Sequence, residues 1–300
     1  MDAAAPGPGT AAGQGHRGDG PVVTFPNTGV PRLQALAPPS NMGTMRDGPE
    51  TLSTRLRVVD LETTGDSFSN GGVVEIGWQD LARGPDGVWE LCGGPGSMLV
   101  NPGCPISAVT SGVHHIVDED VAGAPSWDEV APGVLRDGGA LALAAHRAAF
   151  EKRWCTARLS GGARWICTYK CALRVWPEAP THSNQGLRYW RRPAGLDRAT
   201  GLPAHRAGPD AYVTAHHLRD MLAVADVEQL LRWSSEPALL VRVPSGALRG
   251  RRWDELDDAQ LARVLAGEFG QNPDMLFTAR AEQDRRGGKA AAREQFRLSL

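Results

Sequence analysis

The chain has no long hydrophobic run; nothing approaches the roughly 18 consecutive apolar residues of a membrane-spanning helix. Its first residues lack the basic-then-apolar pattern of a secretory signal. The expected location is therefore the cytoplasm. Cysteine is scarce, five in 300 residues, and no CxxC pair occurs. Cys92, Cys104, Cys155, Cys167 and Cys171 thus suit neither a disulfide framework nor a zinc knuckle. Net charge is almost absent, −2 at pH 7, so bulk charge does not advertise a nucleic-acid partner. Arginine is clustered locally, however, at Arg188, Arg191 and Arg192 and at Arg249, Arg251 and Arg252. Such patches either steer phosphates or simply face water.

What is present divides the chain. Residues 1–52 are rich in Gly, Pro and Ala without apolar periodicity. Such a segment buries too little surface to offset chain entropy, so a disordered tail is expected. Met42 and Met45, shortly before the first strand, offer alternative starts. Order is expected from Arg55. Leu56 to Leu61, Val73 to Trp78 and Ser97 to Val100 read as three strands in quick succession. Ile106 to Val113 and Trp127 to Leu135 have helical spacing, with Ser126 a candidate N-cap. Ala140 to Ala145 reads as a buried strand, Arg147 to Trp154 as a helix and Arg164 to Thr168 as another strand. Asn184 to Trp190 is a short helix. Pro209 to Ala225 is the clearest helix, with Tyr212, Ala215, Leu218, Met221 and Leu222 on one face. This order gives a mixed α/β sheet. The expected domain spans 53–226, followed by a small module over 227–280 and a flexible tail over 281–300. The tryptophans are read mainly as core residues.

Asp60 and Glu62 end the first strand two residues apart, hence on one face. Paired carboxylates on one face favour a divalent cation with hard oxygen ligands, although most Asp-x-Glu pairs are merely solvated. Asp210 opens the long helix, where the macrodipole alone would favour it. His205 lies five residues earlier in a Gly/Pro-rich loop and could act as a base near neutral pH. Glu151 supplies a fourth acid; taken singly it is an ordinary helix glutamate.

Together these residues resemble the DEDD exonucleases of the histidine subgroup. The motifs are Val59 to Gly65, Ala145-His146-Arg147-Ala148-Ala149-Phe150-Glu151 and His205 to Ala211. Trp165 to Thr168, Leu173 to Pro177 and Ser183-Asn184 resemble the exodeoxyribonuclease X branch of that family. The resemblance implies an RNase H-like mixed sheet flanked by helices. It implies phosphodiester hydrolysis from 3' ends with two Mg²⁺ or Mn²⁺ ions about 4 Å apart. Asp60, Glu62, Glu151 and Asp210 would be the ligands, with Asp60 bridging, and His205 the general base. Thr63 and Thr64 would line the terminal nucleotide's pocket, with His114 and His146 as further substrate-binding candidates. The product would be a 5'-mononucleotide and the partner a nucleic acid with a free 3' end, DNA favoured, in a process such as repair. The family has Asp where Glu151 stands and Asn where Arg147 stands. Three readings compete: a DNA exonuclease, an RNA 3'-end exonuclease with the same site, and a catalytically weak nucleic-acid-binding protein. The C-terminal module would either contact DNA through Arg249, Arg251 and Arg252 or dock a partner.

Overall fold

The computed structural model describes residues 54–299, so the tail expected over 1–52 lies outside the described residues. Three strands lead the chain: β1 (Arg55–Thr63), β2 (Val73–Arg83) and β3 (Trp89–Leu99). Helices α1 (Ala108–His114), α2 (Asp118–Val121) and α3 (Trp127–Arg136) follow. Then come β4 (Ala142–Ala145), α4 (Glu151–Trp154), α5 (Ala157–Ser160), β5 (Trp165–Cys167), α6 (Thr168–Val175) and α7 (Asn184–Arg191). The chain ends with α8 (Ala207–Leu222), α9 (Val227–Ser235), α10 (Asp258–Leu265) and α11 (Pro273–Ser299). The strands form one mixed sheet in the order β3-β2-β1-β4-β5. β1 and β2 are antiparallel, as are β2 and β3, whereas β4 runs parallel to β1 and β5 parallel to β4.

The two faces of β1 explain the layering. Leu56 and Val58 join a core with Ala211, Ala215, Leu218 and Met221 of α8. Val59 and Leu61 join another with Trp127 and Val130 of α3 and with Trp154. Burying each such aliphatic side chain stabilises the fold by about 1.5–3 kcal/mol. The alternation carries Asp60 and Glu62 onto the α8 face, beyond Val58. On β2, Gly77 pairs with Asp60 and faces the same way. A Cβ at Gly77 would overlap the Ala207 carbonyl and the Gly208 nitrogen. Helix α8 therefore seats its first turn directly on the backbone of β2.

Several expectations change in detail. Residues 146–150 form a turn rather than the first part of a helix, and α4 begins only at Glu151. The reason is Arg147, whose φ of 71° is left-handed and incompatible with a helix. α8 starts at Ala207, two residues ahead of Pro209, and ends at Leu222. Leu230 and Leu231 of α9 belong to the core on the α8 face, beyond the boundary placed at 226. The module that follows has its own core of Val243, Leu248, Trp253, Leu256, Leu261, Val264, Met275 and Ala279. Helix α11 spans Pro273–Ser299. Among the described residues no helix is long and apolar enough to cross a membrane.

Gly77→Ala is expected to cost about 1–3 kcal/mol in urea unfolding, through overpacking at the start of α8. Gly133→Ala on α3, where a Cβ meets nothing within 4 Å, is expected to leave stability level or raise it slightly.

Candidate active site

Asp60 and Glu62 reach a cleft of about 600 Å³ at the end of β1. Leu61, Thr63, Gly65 and Asp66 continue its floor. Val109, Thr110, Val113 and His114 of α1 form one wall, and His146 and Phe150 of the turn after β4 form another. Ser183, Asn184 and Gln185 at the start of α7 close it together with His205 and Asp210.

The predicted residues largely meet here. Ligand atoms of Glu62, His205 and Asp210 lie within 4.8 Å of one another. Asp210, in the first turn of α8, is buried and richly bonded. Its Oδ1 accepts from Asn184 Nδ2 at 3.1 Å and from Gln185 Nε2 at 2.6 Å. Its Oδ2 accepts from the His205 backbone N–H at 2.6 Å. His205 is exposed and left-handed, with φ 59°. Glu151 is buried, at 4 % exposure, and its Oε2 has no hydrogen-bond partner. It is not among the side chains lining the cleft; its neighbour Phe150 is.

The electrostatics follow from packing acids together. Removal from water, then Asp210 and Glu62, hold the Asp60 carboxyl well above the usual carboxylate range. Removal from water and then Asp210 push Glu62 up to about 8, with Arg206 pulling the other way. Burial, with Glu62 adding, pushes Glu151 up to about 8. Hard oxygen donors, mutual repulsion and one orphaned buried carboxylate oxygen all fit a divalent cation.

The remaining candidates have definite places. Thr63 donates its hydroxyl to the Gly65 carbonyl at 2.7 Å. Thr64 is not a cleft-lining residue; its hydroxyl accepts from the Gly72 N–H at 2.9 Å and closes the turn. His114 is buried, its Nδ1 accepts from the Ile116 N–H at 3.1 Å, and its Nε2 has no partner. His146 uses both ring nitrogens, Nδ1 with Thr168 Oγ1 at 3.0 Å and Nε2 with the His182 carbonyl at 2.8 Å. Burial pushes it down to about 4, so it is neutral. Arg147 lies 4.2 Å from the centre of the Tyr169 ring, a stacking contact that steadies its left-handed backbone.

Of the arginine clusters, much is spent on structure. Arg188 is buried and donates to the Gly201 and Arg198 carbonyls. Arg191 pairs with Asp220 at 2.6 Å and stacks on Trp176. Arg251 holds Gln260 and the Glu255 carbonyl, and Arg252 holds Asp254. Two site residues escaped sequence reasoning: Asn184 and Gln185, as donors to Asp210. A polar pair after Ser183, whose hydroxyl caps α7, was the available signal for both.

No family model matches the chain. Exodeoxyribonuclease 10 of Escherichia coli (strain K12) is 34% identical over 198 residues, 65% of this chain and 82% of that protein. The protein of the same name from Escherichia coli O6:H1 matches with the same identity and coverage. Among solved structures, exonuclease X in complex with 5' overhanging duplex DNA aligns with a TM-score of 0.50 at 31% identity. That alignment covers 60% of this chain and 99% of the other.

The raised carboxylates set a pH dependence in the absence of metal. A folded pKa above the unfolded one means that stability is lost as pH rises from about 4.5 to about 8. Buried His146, His216 and His217, pushed down to about 4, 4 and 3, act oppositely, but only below about 6.5. Between about pH 6.5 and 8 the carboxylates dominate. With EDTA, the Tm is expected to fall across that window in a thermal melt, and Glu151→Gln to flatten the fall. A level or rising wild-type Tm contradicts the raised carboxylates.

Proposed function

The chain belongs to the exodeoxyribonuclease X family and is thereby a hydrolytic nuclease; from that premise we propose that it is a divalent-metal-dependent 3'→5' exonuclease. It would release 5'-mononucleotides from DNA 3' ends, single-stranded by preference. The observation that carries this proposal is the convergence of Glu62, His205 and Asp210 beside Asp60 in one cleft. The names of the relatives, and the duplex DNA bound to the solved one, support DNA as substrate. It would act in the cytoplasm.

Asp60, Glu62, Glu151 and Asp210 would hold two Mg²⁺ or Mn²⁺ ions, which when bound supply Lewis acidity and neutralise charge at the scissile phosphate. His205 sits at the exposed edge of the cleft, where it can accept the proton of an attacking water. Water oxygen joins phosphorus, the bond from phosphorus to the 3'-oxygen breaks, and that oxygen leaves with a solvent proton. Asn184 and Gln185 fix the Asp210 carboxylate. Thr63 and His114 would meet the terminal nucleotide, with the unpartnered Nε2 of His114 as the group free to bond it. Val109, Val113 and Phe150 offer apolar surface to a base. His146, with both nitrogens occupied, would shape the wall, and Thr64 would hold the turn beneath it.

Asp60→Ala is expected to abolish Mn²⁺-dependent release of mononucleotides while leaving the melting curve cooperative. EDTA should stop wild-type release, and Mg²⁺ or Mn²⁺ should restore it. Labelled DNA and RNA oligonucleotides assayed side by side should show DNA shortened from its 3' end faster. Faster RNA shortening would make the chain an RNA exonuclease. Absence of any shortening under every divalent metal would leave only nucleic-acid binding.

A further inference from the structure

β2 carries an acid with no place in the proposed metal set. Glu75 is 1 % exposed and stands opposite Glu62 in the β1–β2 register. Both its oxygens are engaged. Oε2 accepts from Arg206 Nε at 2.8 Å and from the Ala207 backbone N–H at 3.0 Å. Oε1 accepts from Arg206 Nη2 at 2.8 Å. The contact joins residues 131 positions apart.

Arg206 is the N-cap residue of α8, and its side chain makes no cap bond. A guanidinium has no acceptor to offer the first-turn N–H groups. Glu75 supplies that acceptor from another element, with a negative charge at the positive end of the helix. Gly77, two residues along on the same face of β2, leaves the space that lets the helix start come close. Glu75 and Gly77 together fix both the approach and the orientation of the α8 start.

His205 immediately precedes this anchor. Its left-handed backbone is uncommon for a residue other than glycine and is held here by its surroundings. Two anchors do so here. The Asp210 carboxylate takes the His205 N–H, and the Glu75 carboxylate grips the next residue by a two-pronged bond. Release of the second anchor frees the peptide between His205 and Arg206 to turn, and the imidazole with it.

We propose that Glu75, acting through Arg206, is a positioning residue for hydrolysis: it holds the His205 ring against Glu62 and Asp210. This rests on His205 acting as the base, as proposed above. A purely structural role for Glu75 would lower Tm and leave turnover intact at temperatures well below it.

The test uses the full-length protein, saturating Mn²⁺ and a single-stranded DNA oligonucleotide, well below the Tm of every variant. Glu75→Gln keeps the shape and one acceptor; it is expected to lower kcat on the order of 10- to 100-fold, with KM within about twofold. Arg206→Lys keeps the charge, loses the two-pronged grip, and should move kcat the same way; it carries the test if Glu75→Gln does not fold. The double variant Glu75→Gln/His205→Ala should fall no further than His205→Ala alone, because one effect acts through the other. Wild-type kcat in both Glu75→Gln and Arg206→Lys, or additive losses in the double variant, overturns the positioning role. Wild-type turnover in His205→Ala overturns the base assignment and the positioning role together. An inactive wild type overturns the exonuclease proposal itself.

Discussion

The two-pronged pair between Glu75 and Arg206 closes the gap between the sheet and the start of α8. Much of the cleft is referred to that junction. Asp210 sits in the first turn of the helix, His205 just before it, and Asp60 and Glu62 on the strand beside β2. An isolated pair of this kind contributes little when exposed. Here the acid is buried and doubles as the helix cap, so removing its partner would strand a charge away from water. Gly77 makes the junction sterically possible, since any side chain there would lift the helix from the sheet.

The cleft itself is a repulsive arrangement. Asp60, Glu62 and Glu151 all hold their protons more tightly than free carboxylates do. Arg206 is the cation that relieves Glu62 from one side, while Asp210 accepts hydrogen bonds from Asn184 and Gln185 of α7 and from the His205 backbone. The two apolar cores flanking β1 supply the stability that tolerates this crowding. Groups that repulsion alone would keep apart are thus forced together, as the proposed cation site requires.

Much of this was legible in the sequence, for a physical reason. Strict alternation along β1 puts Asp60 and Glu62 on one face, and the apolar stripe of α8 fixes which face that is. The order of strands and helices gave the mixed sheet. The turn before Glu151 was not legible, because arginine favours helix and only tertiary context places Arg147 in a left-handed conformation. Glu75 was invisible because a single acid within a strand looks like any other until its partner, far along the chain, arrives. The arginine clusters stayed open between phosphate steering and a water-facing role, because adjacency in sequence does not show that Arg188 and Arg191 turn inward to different partners. Thr64 matched a motif, but a hydroxyl in a tight turn is consumed by the turn's own backbone.

The span of the Glu75–Arg206 contact reaches beyond the finished molecule. While the chain is being synthesised, β1 and β2 can pair early, since their residues are close in sequence. At that stage Asp60 and Glu62 exist, but His205 and Asp210 do not. The cleft closes only when the start of α8, which follows roughly two thirds of the residues, has been made and has found β2. A chain that has made only β1 and β2 therefore holds half of the proposed site, and any cleavage through that site would wait for α8.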